Sequence, residues 1–150
     1  MNTEQHISPE LEPAPLFSRP KPELLAPAGG MDQLRYALYY GADAVYLAAD
    51  RFGLRQRASN FSLDDIPAAV AFAHEHGAKA YVTCNVLMES GDLKTLPAYL
   101  EALDAAGADA VIVSDLGALR LAQRHAPRLA VHVSTQASVA NAESARVWHE

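Results

Sequence analysis

Two periods of apolar residues alternate along most of this chain. Short runs dense in Ala, Val and Ile, at about Ala44–Ala48, Ala78–Cys84, Ala110–Val113 and Leu129–Val133, fit strands buried on both faces. Between them, apolar positions recur every three or four residues, as on a helix with one buried side. Leu34, Ala37 and Leu38 share one side of a helix predicted over about Asp32–Tyr40. Leu63, Ile66, Val70 and Ala73 do the same after Ser62, and Asp65 stands three residues beyond that serine in a capping-box arrangement. Leu93, Leu96, Leu100 and Leu103 mark a third helix over about Leu93–Ala106, and Leu116–His125 reads as a fourth. Glu23–Ala26 reads as the first strand, ended by Pro27-Ala28-Gly29-Gly30, and a fifth helix is under way at Glu150.

A repeat underlies this alternation. Gly-Ala-Asp-Ala-Val occurs at Gly41–Val45 and again at Gly107–Val111, with Gly-Ala-Lys-Ala-Tyr at Gly77–Tyr81 between them. The spacing is about one βα unit. Each copy follows an amphipathic stretch and opens an apolar one, so its glycine falls where a helix ends. Strands alternating with helices in this way imply a parallel sheet. The expected fold is α/β: the first five βα units of a (β/α)₈ barrel, truncated, since a complete barrel needs eight units and about 250 residues. The alternative is a five-stranded open parallel sheet, doubly wound.

The chain has 150 residues, half of them hydrophobic, enough for one domain with a core. Pro9, Pro13, Pro15 and Pro20 fall among polar residues without periodicity, so residues 1–20 are expected to be a disordered leader, with the domain over 21–150. A net charge of −6 argues against a broad nucleic-acid surface but leaves room for a local basic site. One cysteine excludes a disulfide framework and fits a reducing compartment. No apolar stretch approaches the length of a membrane span, and no signal-peptide pattern opens the chain. A cytoplasmic location is therefore expected.

Ligands bind at the C-terminal ends of the strands in either architecture, and the period of two sorts the residues there. Lys79, Tyr81, Thr83 and Asn85 share one phase, as do Ala110, Ile112 and Ser114, and Ala130, His132, Ser134 and Gln136. Tyr46 and Asp50 join them from the second strand. This set turns polar toward the strand ends, whereas the opposite set is aliphatic and should meet the helices. Asn85, Ser114, His132, Ser134 and Gln136 are the site-lining candidates. Each has a plainer reading: His132 as a core histidine, Asn85 as a turn former, and Ser134, Thr135 and Gln136 as helix caps. Cys84 shares the helix-facing phase and reads as an inert buried thiol. The loop Arg51–Arg57 carries Arg51, Arg55 and Arg57 and no acid, suited to phosphate or carboxylate, with Asn60 nearby. Zincin, nucleophile-elbow, Walker and paired-cysteine motifs are absent, so these residues by themselves name no reaction.

Five segments in order, Lys21–Gly29, Tyr40–Tyr46, Asn60–Asp65, Gly107–Asp115 and His132–Asn141, resemble the N-terminal half of the collagenase-like peptidases, the family of unknown catalytic type numbered thirty-two. The loop Phe52-Gly-Leu-Arg-Gln-Arg57 most resembles the branch that hydroxylates tRNA uridine. The resemblance implies a barrel domain, oxygen-independent hydroxylation of tRNA with prephenate as co-substrate, and a 4Fe–4S cluster held on four cysteines beyond this segment. The sequence departs from that pattern in having Cys84 alone, which matches none of the cluster ligands. Two other readings stay open: the peptidase that the family name implies, and a non-catalytic module completed by the remaining barrel half or by an oligomer partner.

Overall fold

The computed structural model describes residues 21–53 and 60–149. The leader predicted over 1–20 lies outside them, as do Arg55 and Arg57. The elements are β1 (Leu25–Ala28), α1 (Met31–Tyr39), β2 (Ala44–Ala48), α2 (Ile66–Glu75), β3 (Lys79–Cys84), α3 (Leu96–Ala105), β4 (Ala110–Val113), α4 (Leu116–His125), β5 (Ala130–Val133) and α5 (Ala142–His149). Every neighbouring pair of strands is parallel, and their spatial order follows the chain, β1-β2-β3-β4-β5.

That order decides where the helices go. Parallel crossovers are right-handed, so a chain that always steps to the same side keeps all its crossover helices on one face. The core agrees. Val45, Leu47, Ala80, Val82, Cys84, Val111 and Val113 pack in one cluster with Leu34 of α1, Val70 of α2, Leu100 of α3 and Leu119 of α4. The five strands form one open parallel sheet, as the alternative expected, but its double winding is corrected: a doubly wound sheet would reverse its order and carry helices on both faces, and this one is wound in a single sense. The other face holds a smaller cluster, Ala44, Tyr81 and Ala110, with half-buried Tyr46 and Ile112 against it.

The repeat has a structural role. Its glycines, Gly41, Gly77 and Gly107, take φ of 88°, 73° and 79°, the left-handed region that glycine enters without steric cost. In the first copy the Asp43 carboxylate accepts from the Leu24 N–H (2.8 Å), while the Asp43 N–H donates to the Leu24 carbonyl (2.9 Å). In the last copy Asp109 treats Ala80 in the same way, at 2.8 and 2.9 Å. Each aspartate thereby clamps the start of its strand to the strand before. In the middle copy Lys79 replaces the acid and reaches Glu23 (3.1 Å), whose other oxygen accepts from the Tyr81 hydroxyl (2.7 Å).

Several predicted boundaries move; the second helix, for one, is preceded by a 3₁₀ turn at Leu63–Asp65 that carries the Ser62 capping box, and α2 itself starts at Ile66. β1 begins at Leu25 and runs through Pro27, which sequence reading had made its end. β1 is an edge strand pairing only with β2, and a residue without an N–H is tolerated there. The third helix begins at Leu96, after a separate 3₁₀ turn at Asp92–Lys94. Pro97 then stands in the first turn, where its missing N–H is not needed.

Two outcomes follow. Asp109→Ala leaves the Ala80 N–H without its acceptor and should lower unfolding free energy by about 1–3 kcal/mol in urea titration, with Asp109→Asn recovering part of the loss. The second outcome concerns acid. The Leu24 N–H, then Lys21, hold the Asp43 carboxyl below its ordinary 3.8. The Ser62 hydroxyl and then its N–H do so for Asp65, at 2.6 and 3.1 Å. Groups lowered by folding contribute stability above the ordinary value, and lose it as pH falls through the folded one. An Asp43→Asn, Asp65→Asn variant should therefore show a shallower loss of stability below pH 3.8 than the parent.

Candidate functional site

The candidates gather where the strands end. Beyond β3 lies Asn85, beyond β4 Ser114, and beyond β5 Ser134, which begins the 3₁₀ turn Thr135–Ala137. The Asn85 Nδ2 donates to Ser134 Oγ (3.1 Å), and Ser134 Oγ donates to Gln136 Oε1 (2.6 Å). The Ser114 hydroxyl donates to the Asn85 backbone carbonyl (3.1 Å). Four of the five site-lining candidates are thus joined in one network across three strands, with Ser134 buried at its centre. Beside it opens a cleft of about 250 Å³ lined by Asn85, Val86, Leu87, Met88, Ser114, Asp115 and Gln136.

Sequence reasoning missed the apolar wall Val86–Met88 and the acid Asp115. The wall follows β3 without periodicity, so no pattern distinguishes it from an ordinary loop. Asp115 did carry a signal, because an acid immediately before a helical run is a common N-cap. Its carboxylate accepts from the Ala118 N–H (2.9 Å) and caps α4.

The fifth candidate sits apart. His132 lies on the same face, but its ring meets the Tyr81 ring edge-on (4.6 Å between centroids) and does not line the cleft. Cys84 is fully buried on the helix side, and burial pushes its thiol up to about 12.

Of the basic loop, Arg51, Phe52, Gly53 and Asn60 are described. Arg51 donates to Thr95 Oγ1 (2.9 Å) and places its guanidinium 4.9 Å from the centre of the Phe52 ring. Phe52 is buried with φ of 61°, and its carbonyl accepts from the Val86 N–H (3.0 Å). The start of the loop is therefore fastened to the wall of the cleft. Asn60 directly precedes Phe61, which is bridged to Ala49 beside the end of β2. Asp50, the other residue assigned to this phase, is exposed, and its N–H donates to the Phe61 carbonyl.

Neither serine is placed as an activated nucleophile. Each donates to an amide oxygen, which cannot take up its proton. The residues present do not fit a four-cysteine cluster either: the chain has one cysteine, enclosed in the core. Among the described residues no three His, Cys, Asp or Glu side chains are grouped to hold a metal, and no helix is long and apolar enough to cross a membrane.

The fold and site define an α/β protein with its polar groups collected at the C-terminal ends of a singly wound parallel sheet. The chain belongs to Peptidase family U32, whose profile matches residues 29–150. It is 42% identical over 130 residues to tRNA hydroxylation protein P1 of Bacillus subtilis, covering 87% of this chain and 31% of that protein. It is 41% identical over 124 residues to the 23S rRNA 5-hydroxycytidine C2501 synthase of Escherichia coli, covering 83% and 18%. With the collagenase of Porphyromonas gingivalis it shares 32% over 127 residues, covering 84% and 30%. The solved structure of the U32 peptidase Mk0906 superposes with a TM-score of 0.69 at 16% identity, over 90% of this chain and 58% of that one, a likeness of fold. The chain spans less than a third of the length of these curated relatives.

The enclosure of Cys84 gives a direct check. Its thiol should resist an aromatic disulfide reagent at pH 8 in the native protein and react fully once urea has unfolded it. Rapid reaction in the native state would show that the helix-side core opens around it.

Proposed function

We infer that this chain is the N-terminal part of an RNA-modifying enzyme that hydroxylates tRNA uridine. The observation that supports the reading is the 42% identity to a tRNA hydroxylation protein, and a relative named for hydroxycytidine in ribosomal RNA points to the same class of chemistry. In this reading the polar network beside β3, β4 and β5 faces the RNA. Arg51, with Arg55 and Arg57, meets phosphate or the carboxylates of prephenate, the proposed co-substrate. A 4Fe–4S cluster, if the protein uses one, takes its ligands from outside this segment, because Cys84 cannot serve. The second face of the sheet is covered by further βα units closing a barrel, since parallel sheets are stable with both faces buried.

The peptidase reading has the family name and a collagenase relative behind it. Against it, Ser114 and Ser134 each donate to an amide oxygen and not to a base.

The test is genetic and chemical. Deleting the gene from its host should remove hydroxylated uridine from tRNA, read by mass spectrometry of nucleosides, and the full-length gene should restore it. Restoration should fail with Arg55→Ala, Arg57→Ala. Unchanged tRNA in the deletion strain would reject the reading, and gelatin digestion by the purified full-length protein would then favour the peptidase.

A further inference from the structure

The geometry points to the cleft beyond β3, β4 and β5 as the seat of a single pyrimidine base, read on its hydrogen-bonding edge by Asn85 and Gln136. This assignment rests on the RNA reading above and extends it to particular atoms.

The argument begins with one proton. Ser134 is 7% exposed, and its hydroxyl has a single hydrogen to donate. Gln136 Oε1, 2.6 Å away, can only accept, so the hydrogen goes there. The serine oxygen is then an acceptor toward Asn85 Nδ2. Thr135 Oγ1 donates to the same glutamine oxygen (3.1 Å). In this arrangement Asn85 turns its nitrogen to Ser134, and Gln136 its oxygen. Among the described residues, Asn85 Oδ1 and Gln136 Nε2 make no hydrogen bond. Both residues line the cleft, and these two atoms are the acceptor and the donor they have left for a ligand there. An acceptor and a donor together can meet a uracil edge, which presents the N3 hydrogen beside the O4 oxygen.

The rest of the cleft suits a neutral ring. Val86, Leu87 and Met88 supply an apolar wall, and Leu87 is 86% exposed. A volume of about 250 Å³ falls below the range of drug-sized pockets and fits one ring. The charged lining group is Asp115, whose carboxylate occupies the N-terminus of α4. That negative charge opposes a phosphate or a carboxylate in the cleft. The anionic backbone has a separate place nearby, because the carbonyl of Phe52, next to Arg51, is bonded to the Val86 N–H of the cleft wall. Base in the cleft and phosphate toward Arg51 is the arrangement these charges favour.

Gln136→Glu tests this on the full-length protein. The substitution keeps an oxygen to accept from Ser134, turns the outward donor into an acceptor and adds a negative charge. With tRNA purified from the deletion strain as substrate, kcat/KM for uridine hydroxylation should fall about tenfold or more, while the urea midpoint stays that of the parent. Asn85→Ala, read by the same two measurements, is the second variant and should fall similarly. If the parent hydroxylates this tRNA and both variants stay within about twofold of it, the cleft does not read the base. If the parent leaves the tRNA unmodified, the RNA reading fails, and this assignment falls with it.

Discussion

The fold hangs on how each strand is started. A parallel strand begins with backbone groups that neither the preceding helix nor its own ladder has yet satisfied. The Gly-Ala-Asp step supplies the missing partners, turning the chain out of a helix through a positive-φ glycine and then binding the previous strand through both the main chain and the carboxylate of one residue. Because one residue does both, it sets register as well as pairing. Slippage by one position would exchange the two faces, sending Val45 and Leu47 away from the helices and Tyr46 into them. Where Lys79 takes the aspartate's place, the connection passes to Glu23 and Tyr81 on the opposite face. The Tyr81 and Lys79 hydrogen bonds hold the Glu23 carboxyl below the usual range.

Winding in one sense then separates two jobs. The helix-facing side is aliphatic and closed, with Val82, Val111 and Leu100 fully buried. The other side is sparsely covered: Glu23, Lys79 and Tyr81 pair where its strands start, and the network of Asn85, Ser114 and Ser134 forms where they end. No residue of the network makes the site alone. Asn85, Ser114 and Ser134 arrive from three strands, and parallel pairing brings their ends level.

Much of this was legible in the sequence, for identifiable reasons. The limits of β2, β4 and α4 agree with the apolar runs, because each is bounded by a glycine, an aspartate or a clear change of period. β1 was misplaced because a proline reads as an ending, and only the unpaired edge makes it harmless within the strand. The start of the third helix differs because the 3₁₀ turn carries Leu93 at helical spacing from Leu96. In the site, alternation placed Asn85, Ser114, Ser134 and Gln136 on one face, and that phase is what the network uses. It also placed His132 there, correctly as to face, but it says nothing of distance along the strand. His132 falls one step short of the cleft, against Tyr81. The apolar wall of the cleft has no period, and the bond between Phe52 and Val86 joins segments whose proximity no local pattern reports.

Phe52 holds a bulky side chain in a backbone conformation that costs about 1–3 kcal/mol outside glycine. Glycine would release that strain and delete the ring against which Tyr99 packs and Arg51 rests. Truncating a buried phenylalanine costs about 3–5 kcal/mol, more than the strain it would relieve, so packing by itself keeps the ring in this turn. Because the same ring carries the Arg51 guanidinium, the position of that arginine is inherited from the core beneath it rather than from the loop that follows.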